Sequence, residues 1–293
     1  MMSHRSGFVN ILGNPNVGKS TIMNVLVGEK LSIISPKAQT TRHRIMGIVN
    51  GENFQIVYSD TPGILKPRYK LQETMMHSVN SALTDADLIL YITDVTEHTA
   101  EESEYIDKIK ESGIPVIIAV NKIDLTNQDD LEKIVELWHA AFPLSPVIPL
   151  SALNNFNLDA LLNSILEKLP DGPPYFPKDQ LTDKYERFFA SEIIREKILI
   201  HYKKEIPYSV EIEIESFTEE KNIIRIRALI HVARDSQKGI IIGHNGNMLK
   251  RVGTEARKDM EDFFRKKIFL ELYVKVTKDW RDKPAALKRF GYK

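Results

Sequence analysis

Two textures of apolar residues divide this chain. In its first half, runs that are almost wholly apolar stand at residues 8–12, 88–95 and 116–120. Such runs suit central parallel strands with helices on both faces, because neither side of the strand meets water. Residues 45–49 and 54–58 are two more strand-like runs, separated by Asn50-Gly51-Glu52-Asn53. The Asn-Gly pair signals a hairpin, so an antiparallel edge hairpin is predicted there. Residues 31–35 predict a short strand or the end of a helix, and the polar, proline-bearing residues 36–44 a mobile loop. Helices are predicted over 21–27, 100–113 and 157–169, and a last strand over 147–150. The order implies a doubly wound α/β sheet, in which ligands bind at the carboxyl ends of the strands.

At residues 170–177 four prolines in eight residues break every period, as a stiff linker does. Beyond it a helix is predicted over 184–201. Val210, Ile212 and Ile214 alternate with glutamates, the period of a half-buried strand over 209–217. A second strand is predicted over 223–232, then a helix at 236–242, a loop at 243–246, a long helix from 247 to about 267, and a strand over 269–276. This half is α+β. The domain expectation is 1–170, a proline-rich linker at 171–180, and 181–293.

The polar residues at the strand ends carry the chemistry. Gly13-Asn14-Pro15-Asn16-Val17-Gly18-Lys19-Ser20 fits G-x-x-x-x-G-K-[ST] between a strand and a helix. In that context the backbone N–H groups cradle phosphates, with the helix N-terminus adding oriented donors, while Lys19 and Ser20 reach the terminal phosphates and Mg²⁺. Thr21 opens the helix behind them. Asp60-Thr61-Pro62-Gly63 ends another strand, where Asp60 is placed to hold Mg²⁺ through a water and the Gly63 N–H to meet a γ-phosphate. Thr41, or failing it Thr40, would complete the metal shell. Ser20, Thr41 and Asp60 are thus the candidate metal residues, and Lys19, Thr41 and Gly63 the candidate catalytic ones.

Base identity rests on Asn121-Lys122-Ile123-Asp124. Guanine presents N1–H and a 2-amino group, two donors that one carboxylate accepts together, so Asp124 matches guanine and leaves adenine unpaired. Lys122 is expected over the base plane, Asn121 between the neighbouring loops, and the Ala152 N–H of Ser151-Ala152-Leu153 on guanine O6. GTP and GDP are the expected ligands.

These four stations resemble the translation-factor-like class of GTPases over nearly all of residues 1–170. The resemblance implies a GTP/GDP switch with slow intrinsic turnover. Ile64 follows Gly63 where Ras-like GTPases place a water-orienting glutamine. Hydrolysis is therefore expected to depend on backbone, on substrate phosphate, on a partner, or on K⁺ near Asn16, since related GTPases with asparagine there are potassium-stimulated.

In the second half, Gly243-His244-Asn245-Gly246 lies between Ile240-Ile241-Ile242 and Leu249-Lys250-Arg251. A G-x-x-G loop lets backbone approach about four nucleotides in a KH module. Candidate RNA contacts are Ile242, Gly243, His244, Asn245, Gly246, Lys250 and Arg251. The formal net charge of +0 conceals an asymmetry: residues 1–174 hold 14 Lys+Arg and 21 Asp+Glu, while 238–293 hold 15 and 7. The basic end suits a polyanion. Trp280 is a candidate either to stack a base or to anchor the terminal segment.

The element order resembles a type II KH domain. A GTPase domain followed by that module resembles the bacterial GTPases of small-ribosomal-subunit assembly. This implies binding of the 3′ end of 16S ribosomal RNA, the small subunit as partner, and RNA affinity governed by GTP. A monomer in the cytoplasm is expected. A competing reading is a membrane-associated signalling GTPase with its basic tail, residues 275–293, on anionic lipid. The absence of cysteine removes disulfides, thiolate metal sites and the catalytic cysteine of tRNA-modification GTPases.

Overall fold

The structure, a computed structural model, describes residues 4–97 and 104–292. The chain divides into two units, Met1–Lys66 with Met75–Asp183, and Pro67–Thr74 with Lys184–Lys293.

In the first unit six strands lie in the order β2-β3-β1-β4-β5-β6: β1 (Arg5–Leu12), β2 (Ile45–Asn50), β3 (Phe54–Asp60), β4 (Leu88–Asp94), β5 (Val116–Asn121) and β6 (Val147–Pro149). All pairings are parallel except β2 with β3, the predicted edge hairpin. Every residue of β4 and β5 is buried, which is why those segments read as continuous apolar runs. Register places Ile11 beside Asp60 and Asp94 beside Asn121, so the polar strand ends converge on one edge.

The helices of this unit are α1 (Lys19–Val27), α2 (Lys70–Thr84, from Met75 onward), α3 (Glu104–Glu111), α4 (Gln128–Ala141) and α5 (Leu158–Lys168). Residues 100–103 of the helix predicted over 100–113 lie outside the described residues. The sequence reading did not place α2 or α4, although Met75, Val79 and Leu83 bury at i, i+4 and i+8, as do Ile134 and Trp138. Residues 31–35 form neither strand nor helix. Asn24 explains this: its Oδ1 accepts the N–H groups of Leu31 and Ser32, and its Nδ2 donates to the Ser32 carbonyl. A side chain thus takes the backbone groups that a strand ladder would use.

The proline-rich segment is pinned to the first unit. The Tyr175 and Phe176 N–H groups donate to Gln55 Oε1 at 2.7 and 2.9 Å, and Tyr175 packs on Phe8 with ring centroids 4.9 Å apart. Farther on, the Ile48 N–H donates to the Leu181 carbonyl and Met46 N–H to Asp183 Oδ1. Much of the backbone along the free edge of β2 is paired in this way.

The second unit is a three-stranded sheet, β7 (Val210–Glu219), β8 (Ile223–Val232) and β9 (Lys267–Val276), with β7 antiparallel and β9 parallel to β8. The parallel pair needs a crossover, supplied by α7 (Asp235–Ile242) and α8 (Asn247–Phe264). Together with α6 (Glu186–His201) these helices bury Ile194, Ile198, Val252, Ala256 and Met260 against Ile226, Ala228 and Ile230. The chain closes with α9 (Pro284–Arg289), also unplaced by the sequence reading. Trp280 is fully buried and its indole N–H donates to the Ser209 carbonyl at 2.9 Å, so it anchors the terminal segment and is not available to stack a base.

Candidate functional site

The first unit's converging strand ends surround a cavity of about 590 Å³. The loop leaving β1 forms its floor. Gly13 has φ 144° and its missing Cβ would sit 2.1 Å from the Ile92 carbonyl oxygen, so only glycine fits. Lys19, at the start of α1, is buried and donates to the carbonyls of Gly13 and Asn14 at 3.0 and 2.7 Å. Burial lowers its pKa to about 8, against the pull of Asp60 and Glu97. Asn14 Nδ2 donates to Glu97 Oε1, which steadies the loop's outer turn. Gly63 packs against Pro15 so closely that a Cβ would lie 2.8 Å from the Pro15 backbone. Ile64 is buried and its N–H donates to the Gly13 carbonyl, so its side chain does not face the cavity as a water-orienting group would.

Ser20, Thr41 and Asp60 meet at one corner. Ser20 Oγ donates to Asp60 Oδ2 at 2.7 Å, lies 2.8 Å from Thr41 Oγ1, and Thr41 Oγ1 reaches the same carboxylate at 3.2 Å. Thr40 points elsewhere, to the Lys37 carbonyl. Asp60 is fully buried, which pushes its carboxyl pKa up, and its Oδ1 has no hydrogen-bond partner. An orphaned buried carboxylate oxygen beside two hydroxyls is an all-oxygen donor set that fits a hard divalent cation.

At the other end Asn121 braces three segments. Its Nδ2 donates to the Val17 carbonyl at 2.9 Å, and its Oδ1 accepts the Ala152 N–H at 3.0 Å. The Ala152 N–H, expected on guanine O6, is therefore spent on Asn121, because that buried amide oxygen needs a donor. Asp124 is oriented by Ser151 Oγ at 2.5 Å. Lys122 stretches along the cavity wall to the Asn16 carbonyl, 2.7 Å, and Asp94 Oδ2, 2.5 Å, leaving its alkyl stem toward the cavity. Thr21 and Leu153 also line it. Sequence reasoning missed Ile33, Ile34 and Leu125 in the lining. Leu125 could have been read from its place beside Asp124; the two isoleucines are delivered by an irregular loop with no period to read.

In the second unit an open groove of about 390 Å³ lies between α8 and β9. Gly243, at φ 71°, turns the chain out of α7, and Gly246 opens α8. Tyr202 Oη donates to the Ile241 carbonyl at 2.6 Å and holds the last turn of α7 before the loop. Gly246 and Lys250 line the groove; Ile242, Gly243, His244 and Asn245 form the turn at its end. Arg251 is outside the lining and pairs with Glu255 at 3.0 Å, a carboxylate that His201 also binds. Leu249, Gly253, Thr254 and Arg257 were missed, yet with Gly246 they repeat at helical spacing along one face of α8. Leu270 and Leu272 form the apolar side. The basic tail is folded: Leu287 and Tyr292 are buried and Arg289 is bound by Glu213, which argues against an unstructured lipid-binding arm. Among the described residues no helix is long and apolar enough to cross a membrane, and no cluster of His, Asp and Glu forms a separate metal site.

Sheet, phosphate loop, base site and G-x-x-G groove define the class: a P-loop GTPase with an appended KH domain. Profiles agree, the 50S ribosome-binding GTPase family matching residues 8–122 and the KH domain family residues 205–281. The GTPase Era of Syntrophus aciditrophicus is 46% identical over 291 residues, 98% of this chain and 95% of that one. That of Staphylococcus haemolyticus is 43% identical, over 100% and 98%. A crystal structure of Era with MgGDPNP and nucleotides 1506–1542 of 16S ribosomal RNA superposes with TM-score 0.94 at 40% identity, over 99% of both chains. Aquifex aeolicus Era bound to GDP and AlF₄⁻ gives TM-score 0.94 at 40% identity, over 98% of this chain and 99% of that one. The chain belongs to the Era family of GTPases.

Proposed function

We propose that this GTPase uses its nucleotide state to time the binding of the 3′ end of 16S ribosomal RNA during assembly of the small subunit. The observation that carries the reading is the presence, in one chain, of a guanine-matched phosphate site and a basic-rimmed G-x-x-G groove. The Era structure holding both MgGDPNP and 16S RNA supports it at full length.

In the nucleotide site, Gly13, Asn14, Asn16, Val17 and Gly18 wrap the phosphates and Lys19 exchanges its carbonyl partners for phosphate oxygens. Ser20, Thr41 and Asp60 hold Mg²⁺, which neutralises charge developing on the phosphates. Asp124 reads the guanine N1–H and amino group; Lys122, Leu125 and Leu153 enclose the base. Hydrolysis transfers the γ-phosphoryl to water with cleavage of its bond to the bridging β–γ oxygen. Ile64 supplies no polar group for that water, so turnover without an activator is slow. K⁺ near Asn16 is one source of activation, and equal rates in K⁺ and Na⁺ would exclude it.

In the groove, the loop Gly243–Gly246 meets the sugar-phosphate backbone while bases lie on Leu249, Leu270 and Leu272. The protein works as a cytoplasmic monomer. Binding of the 1506–1542 RNA measured with GTP analogue and with GDP tests the switch, since linkage requires RNA to strengthen nucleotide binding by the same factor. Gly243→Asp sets an anion against RNA phosphate at a positive-φ site where a Cβ already meets Met248 at 2.7 Å, and abolishes RNA binding with GTP affinity unchanged. Wild-type RNA affinity in that variant refutes the groove assignment.

A further inference from the structure

The loop after α1 carries one hydroxyl inside an apolar step of the chain: Leu31, Ser32 and Ile33 are 2%, 2% and 5% exposed. Fold stability alone favours an apolar side chain there, because a buried hydroxyl must find a partner. Among the described residues Ser32 Oγ has none. Its backbone is nevertheless held firmly. The Leu31 and Ser32 N–H groups donate to Asn24 Oδ1 at 3.0 and 2.9 Å, and Asn24 Nδ2 donates to the Ser32 carbonyl at 2.8 Å. All three bonds are buried, so the serine is kept from turning out to water. Its hydroxyl instead faces the Asp60 carboxyl, whose charged form it favours. Asp60 Oδ2 is taken by Ser20 and Thr41, while Asp60 Oδ1 has no partner. Two buried oxygens without partners thus stand at the corner where the metal donors meet.

We propose that Ser32 is a positioning residue for Mg²⁺, sharing with Asp60 Oδ1 the two hydrogens of one water on the cation. This role rests on the metal corner assigned above. Mg²⁺ keeps several waters when a protein binds it, and each such water has two hydrogens to place. Asp60 Oδ1 accepts one. Ser20 and Thr41 already turn their own hydrogens to Asp60 Oδ2 and offer their lone pairs to the cation, which leaves Ser32 to accept the other. A hydroxyl both accepts and donates, so Ser32 takes that hydrogen and turns its own toward the carboxylate. The water is then oriented, and with it the cation over Ser20 and Thr41. Ser32 itself touches neither cation nor nucleotide. Asn24 supports it from α1, four residues after Ser20, so one face of one helix carries both a direct donor and the anchor of the outer one.

The test uses the full-length protein with GDP, and Mn²⁺ as the probe of the Mg²⁺ site. Ser32→Ala weakens Mn²⁺ binding, read by electron paramagnetic resonance, by about 10- to 100-fold, the loss expected when an outer-shell partner is removed. GDP affinity in EDTA stays at the wild-type level. The melting temperature of the metal-free protein is unchanged or higher, because alanine removes a hydroxyl that had no partner. Line broadening in isotope-labelled water counts the same number of waters on Mn²⁺ in variant and wild type. Wild-type Mn²⁺ affinity in Ser32→Ala overturns the proposal, as does a lower melting temperature of the metal-free variant or an equal loss of GDP affinity with and without the cation. One extra water on Mn²⁺ in the variant also overturns it, since Ser32 would then be a direct ligand. Ser20→Ala separates the two readings: it weakens Mn²⁺ binding if the corner is correct, whatever Ser32 does. If it does not, the corner fails, and the role of Ser32 fails with it.

Discussion

Gly63→Ala tests the nucleotide site by sterics alone. Gly63 does not have a positive φ, so alanine is tolerated by its backbone. A Cβ there would stand 2.8 Å from both Cα and N of Pro15, and ordinary contact begins at 3.4 Å. The neighbour is backbone of the phosphate loop, pinned by Asn14 on Glu97 and by Lys19 on the Gly13 and Asn14 carbonyls, and it cannot yield as a side-chain tip does. The segment carrying Gly63 must therefore retreat by about 0.6 Å, and over-packing of that kind costs about 1–3 kcal/mol. The cost falls on the triphosphate state, which needs the Gly63 N–H against the γ-phosphate, while the diphosphate state lets the segment stand off. Affinity for a non-hydrolysable GTP analogue should drop about 5- to 150-fold, with GDP affinity unchanged. Fluorescent-nucleotide titration reads both. An unchanged ratio of GTP-analogue to GDP affinity, or an equal loss of both, refutes the reasoning.

Burial holds Lys19 near pKa 8 in the nucleotide-free protein, and phosphate oxygens restore its proton. Above that pH nucleotide binding therefore draws in a proton and weakens as pH rises; calorimetry of GDP binding in two buffers should show uptake at pH 8.5, and Lys19→Arg, which keeps its charge, should show none. Asp124→Asn should shift preference from guanosine toward xanthosine diphosphate, measured by competition, and retained guanosine selectivity contradicts the base-reading role. Trp280→Ala removes a fully buried indole and its bond to Ser209, and should destabilise the second unit by about 3–5 kcal/mol in chemical denaturation; a loss under about 1 kcal/mol contradicts its anchoring role.

Much of the sheet was readable because its determinants are local. A strand buried on both faces must be apolar throughout, and β4 and β5 announce themselves that way. The Asn50-Gly51 pair sets the β2–β3 hairpin, and alternation along β7 sets which face it buries. Amphipathic α2 and α4 carried a readable period that the sequence reading did not use. Residues 31–35 look like a strand in isolation and become a loop because Asn24, on the preceding helix, takes their backbone hydrogen bonds. Arg251 looks like an RNA ligand beside Lys250, yet one residue is a 100° turn of the helix, and it faces Glu255 instead.

By itself the sequence determined the stations of the site: glycines where the backbone needs room, a carboxylate whose two oxygens match guanine, a lysine and hydroxyl at a helix start. These are fixed by residue chemistry and by short spacing along the chain. Tertiary structure alone decided how they meet. Ser20, Thr41 and Asp60 are 19 to 40 positions apart and converge through strand register and the path of a loop. The Ala152 N–H goes to Asn121 because two loops arrive side by side. Those outcomes depend on long-range pairing, which no local pattern of apolar and polar residues encodes.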